Sequence, residues 1–133
     1  MTRVGFIGSI IDMLKRSLSK LPEFIAGDRS ILREFLNPEK ETFEKVNYSI
    51  AHATVPPETI THKHKLTSSE IYYIISGKGT MHIDTESSDV EPDDLVYIPP
   101  GSMQWIVNSS GENLKFLCFV EPAWTEACET VFH

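Results

Sequence analysis

At 133 residues, with 41% hydrophobic and 23% charged side chains, the chain has the size and balance of one globular domain able to bury its own core without covalent staples. Its 12 Lys and Arg against 19 Asp and Glu give a formal charge of −7, so its summed field repels nucleic acid and anionic membrane, and neither is an expected partner. Only two cysteines are present, Cys118 and Cys128, with no paired-Cys motif, which demands no disulfide and points to a reducing cytoplasm.

Residues 1 to 20 place Val4, Ile7, Ile11, Leu14 and Leu18 at helical spacing with Lys15, Arg16 and Lys20 at the end, so a helix is expected here. Asp12 cuts the apolar run and no small-residue cleavage site follows, which argues against a signal peptide, and the run is too short to span a bilayer. The expected unit is an N-terminal arm over residues 1–24, covering the rest of the domain or a partner subunit; a basic amphipathic helix on a membrane surface is the alternative. Pro22 breaks it, Gly27 to Ser30 turns, and Ile31 to Leu36 reads as a strand stopped by Asn37-Pro38. Past a charged loop, Val46 to Val55 alternates in places like a half-buried strand and ends at Pro56-Pro57.

The stretch THKHKLTSSEIYYIISGKG, residues 61 to 79, carries the chemistry. His62 and His64 stand at i and i+2, which on an extended strand puts both imidazoles on one face. Glu70 heads the apolar run Ile71 to Ile75, a buried strand stopped by Ser76-Gly77, and the polar, turn-like residues between allow it to return beside the histidines. Two His and one carboxylate form the ligand set of non-haem Fe(II) and also suit Mn, Ni or Zn, so a divalent metal ion is the expected cofactor; surface decoration is the plainer alternative. Thr80 to Asp84, Leu95 to Ile98, Met103 to Val107 and Asn113 to Val120 read as further strands, with a polar turn through Ser87-Ser88-Asp89. The tail from 122 to 133 reads as a short helix from Thr125 or as an arm anchored by Trp124 and Phe132. Short strands at such spacing predict an all-β sandwich or barrel.

Together these stretches resemble the two signature motifs of the cupin family. His62, His64, Glu70 and Gly77 fill the first, with five residues rather than three or four between His64 and Glu70, and Pro56 at the leading Gly. In the second, Pro99, Gly101 and Asn108 match, Asp93 replaces the Gly, and Gln104 stands where the fourth metal ligand, a His, would be. The resemblance implies an antiparallel jelly-roll β-barrel over residues 25–121 and a metal inside it on His62, His64, Glu70 and Gln104, whose amide oxygen is a weaker ligand than imidazole. It implies a metal-dependent isomerase or lyase acting on a small sugar or sugar acid, with an Fe(II) dioxygenase or a non-catalytic metal- and ligand-binding module as alternatives. Tyr72 shares the parity of Glu70 and is the candidate acid or hydrogen-bond donor; Arg33, Tyr48 and His82 are candidate substrate contacts, with His52 and Tyr97 behind them. A homodimer is expected, burying Ile7, Ile10 and Ile11 of the arm.

Overall fold

The computed structural model describes residues 13 to 133. Residues 1 to 12 of the expected helix, and with them Ile7, Ile10 and Ile11, lie outside the described residues. Residues 13 to 20 form no α-helix, only a 3-10 turn at Leu18–Lys20. This correction has a tertiary cause: Arg33 Nη1 donates to Leu18 O (3.0 Å) and Arg16 Nη1 to Phe35 O (2.6 Å), tying the segment to a strand by contacts that periodicity does not encode.

Twelve strands follow: β1 Phe24–Ile25, β2 Ile31–Leu36, β3 Ser49–Val55, β4 Thr59–Ile60, β5 Lys63–Leu66, β6 Ser69–Ser76, β7 Gly79–Ile83, β8 Glu86–Val90, β9 Leu95–Ile98, β10 Gln104–Asn108, β11 Leu114–Glu121 and β12 Glu129–Phe132. They pair antiparallel in two facing sheets, ordered β1-β2-β3-β11-β6-β9 and β12-β5-β10-β7-β8, with β4 also on β10. This is the jelly-roll arrangement expected. The two-residue period is visible along β11, where Leu114, Phe116, Cys118 and Val120 are buried and the residues between them are half-buried. Ile74, Ile98, Ile106, Leu114 and Phe116 fill the interior at 2% exposure or less, each contributing on the order of 1.5–3 kcal/mol by leaving water.

Motif residues fix the loops. Gly77 follows β6 at φ +84°, and a Cβ there would meet Asn113 O and stand 2.8 Å from Leu114 Cα, so only glycine permits that approach. Asp93 takes φ +76° in place of the motif glycine, and its carboxylate accepts the Tyr73 hydroxyl at 2.7 Å. Asn108, fully buried, donates from Nδ2 to Val55 O, Pro56 O and Glu112 O and accepts from Ser110 at Oδ1.

Two local expectations need correction. Ser87-Ser88-Asp89 is not a turn but the middle of β8, and the chain reverses at Asp84-Thr85, since Ile83 pairs with Glu86. Exposed on both faces from Glu86 to Asp89, β8 carries no apolar signal before Val90. The tail holds a 3-10 turn at Glu126–Cys128 and then β12, which zips along β5 with Val131 opposite His64. A strand that completes a sheet at its edge is selected by its partner rather than by its own residues.

Candidate active site

A cavity of about 290 Å³ opens between the two sheets, walled by Leu32, Leu66, Phe116 and Val120 and by the polar groups Asp28, His64, Glu70, Tyr72 and Glu129. His64 reaches it because β5 alternates, with Lys63 and Lys65 exposed and His64 and Leu66 buried. Asp28 is set by the β1–β2 turn: its Oδ1 accepts from the Ser30 amide (3.0 Å) and hydroxyl (2.6 Å), and its carbonyl accepts the His62 amide (2.8 Å). These bonds hold Asp28 Oδ2 3.8 Å from His64 Nδ1. From the other side β12 brings Glu129 Oε2 to 4.0 Å from His64 Nε2, while Glu129 Oε1 accepts from Trp124 Nε1 (3.2 Å).

The tautomer of His64 follows from its partner. Nδ1 lies 3.1 Å from the His62 carbonyl, which can only accept, so Nδ1 carries a proton and in the neutral ring Nε2 presents the lone pair.

Beside it runs a chain across the sheets. The Tyr72 hydroxyl donates to Gln104 Oε1 (2.9 Å), and Gln104 Nε2 donates to Glu70 Oε1 (2.9 Å). Burial pushes the Glu70 carboxyl up to about 8; the Gln104 bond works against this, and the charges of Asp28 and Glu129 add to it. Burial, helped by the charge of Glu70, raises the Tyr72 hydroxyl and the Cys118 thiol, so both stay protonated. Glu129 is raised by burial, against the pull of His64. The cavity thus holds a base-capable imidazole and a carboxyl that keeps its proton near neutral pH.

A family model described as "Cupin domain" matches residues 51 to 120. The chain belongs to the cupin family. A Methanocaldococcus jannaschii relative, uncharacterized protein MJ1618, is 39% identical to this cupin over 115 residues, 85% of this chain and 90% of that one. Among solved structures, a predicted oxalate decarboxylase from Thermotoga maritima superposes with TM-score 0.71 at 23% identity, covering 83% of this chain and 99% of that one. The nucleoside dehydratase Pac13 of Streptomyces, also solved with uridine, gives 0.70 at 17% identity over 92% of each chain. At these identities the structural likenesses establish the fold.

Of the sequence-expected site residues, the fold gathers His64, Glu70, Tyr72 and Gln104. His62 is elsewhere: it sits outside the cavity wall, its ring edge-on to that of His133 with centroids 4.9 Å apart. Arg33 faces away, toward Leu18 O and Glu23 Oε2 (3.6 Å). Tyr48 is exposed ahead of β3, and His82 stacks on Trp105 with centroids 4.6 Å apart. His52 is buried beside Arg33, and Tyr97 is exposed.

The metal set does not fit an ion in this arrangement. His62 is turned away, and the Gln104 oxygen already accepts the Tyr72 hydroxyl. Among the described residues no group of three or more His, Cys, Asp and Glu is placed to hold one. The cavity gains instead two carboxylates that sequence reading missed, Asp28 and Glu129. Asp28 lay in a turn and Glu129 in the tail, and neither carries a local signal.

Proposed function

We propose that this cupin is a lyase or isomerase that moves a proton on a small polar molecule held in the cavity, with His64 as base and Glu70 as acid. The reading is carried by the His64 ring, which lines the cavity with Nδ1–H fixed on the His62 carbonyl, Asp28 near Nδ1 and Glu129 near Nε2. Nε2 takes a substrate proton, and Asp28 and Glu129 stabilise the imidazolium that forms. Glu70, oriented by Gln104 and through it by Tyr72, returns a proton to a departing hydroxyl or a developing oxyanion. An imidazole and a carboxyl raised by burial in one cavity are a usual setting for such chemistry. Structural neighbours described as a nucleoside dehydratase and a polyketide cyclase support an enzyme on this fold. The apolar wall of Leu32, Leu66, Phe116 and Val120 favours a second reading, a non-catalytic ligand-binding module.

The test is proton exchange in D2O, followed by NMR over panels of sugars, sugar acids and nucleosides, with metal content measured in parallel. Wild type is expected to exchange or convert at least one compound, with the rate unchanged after chelator dialysis and lowered by about 100-fold or more in His64→Gln. Binding without exchange in any panel refutes the enzyme; one equivalent of tightly held metal, lost with activity in His62→Ala, refutes the metal-free assignment.

A further inference from the structure

We infer that the cavity takes a neutral, hydroxyl-rich ring molecule, of the free sugar or nucleoside kind, and rejects the same molecule once it carries a carboxylate or phosphate. This rests on the assignment of the same cavity as the reaction site. Asp28 and Glu70 are 7% and 6% exposed, and among the described residues no hydrogen bond reaches Asp28 Oδ2 or Glu70 Oε2. His64 is 4% exposed, with the Nε2 edge 4.0 Å from Glu129, too far for a direct hydrogen bond. Three buried polar atoms therefore front one cavity without partners. Water or a ligand must satisfy them, and hydroxyl groups suit all three because each both donates and accepts.

The charges on the wall argue against an anion. Among the described residues, the one cation of Lys or Arg type lining the cavity is Lys40, whose Nζ is held by Glu34 Oε1 at 2.8 Å. Arg33, a candidate substrate contact from the sequence, spends its guanidinium on Leu18 O and Glu23. A phosphate or carboxylate would enter beside Asp28, Glu34 and Glu129 with no guanidinium among the described lining residues to pair it. The apolar and aromatic wall, with Tyr72, Phe116 and Trp124, suits the face of a ring, and a volume of about 290 Å³ limits the ligand to one or two rings.

The experiment compares matched pairs on the full chain at pH 7 by saturation-transfer NMR and calorimetry: ribose and glucose beside their phosphates and glucuronate, uridine and adenosine beside their monophosphates. At least one neutral member is expected to bind tenfold or more tightly than its anionic partner, the pair that responds telling a sugar from a nucleoside. Glu34→Gln, which releases Lys40, should narrow that ratio several-fold. An anion that binds as well as its neutral partner, or no binding by any neutral compound, overturns the inference. Neutral binding without turnover sinks the enzyme reading and leaves this one standing, whereas turnover of an anion does the reverse.

Discussion

Replacing Glu70 with Gln isolates the energetics of the buried carboxyl. In the folded chain the group titrates at about 8, against 4.5 for the free side chain, because it is buried and faces Asp28 and Glu129. Between those two pH values the native state holds a proton that the unfolded chain has released, so stability falls as pH rises across the window. At about 1.4 kcal/mol per pH unit, the gap amounts to ~5 kcal/mol when the window has been crossed. Water entering the cavity solvates the carboxylate and makes this an upper bound. Glu70→Gln keeps the shape and an acceptor for Gln104 Nε2 but cannot ionise. The variant should therefore match wild type near pH 4 and exceed it progressively up to pH 8, by several kcal/mol. Urea denaturation at half-unit pH steps reads the difference, in which the other titrating groups cancel. Parallel pH profiles for the two proteins would show that Glu70 ionises normally and is no acid at neutral pH.

Tyr72→Phe leaves the Gln104 oxygen, 1% exposed, without its donor and should cost about 1–3 kcal/mol in urea denaturation; a loss below about 0.5 kcal/mol would mean that Gln104 finds another partner. The same variant should lower the pH at which Glu70 titrates if Gln104 turns to bind the carboxylate more fully, readable as a shift in the stability profile. Gly77→Ala must place a Cβ against the backbone of Asn113 and Leu114 at φ +84°, so a loss of at least about 2 kcal/mol, or failure to fold, is expected; a near-neutral thermal melt would refute the tight approach of these loops.

Much of the scaffold was legible because its signals are local. Ile31 to Leu36 and Leu95 to Ile98 are strands over those very residues, Gly77 and Gly101 mark turns at positive φ, and Asn108 ends β10 with its side chain bonded to the loop that follows. The inward parity of His64, Glu70, Tyr72 and Gln104 follows from the period of two along β5, β6 and β10. The same rule misled at His62. It lies one residue ahead of β5, outside the regular alternation, and the antiparallel register of β12 sets Phe132 opposite Lys63, which leaves His133 to meet the His62 ring.

By itself the sequence determined the strands with an apolar signal, such as β2, β6 and β9, and the inward face of His64, Glu70, Tyr72 and Gln104, since these depend on backbone sterics and on neighbours two residues away. Tertiary structure alone decided that Asp28, 36 residues before His64, and Glu129, 65 residues after it, flank the same imidazole. Only tertiary structure, again, decided that Gln104 joins Tyr72 to Glu70. Charge and hydrogen-bond geometry at a site depend on distance in space, and a sheet closed by its last strand sets that distance between residues that no sequence period relates.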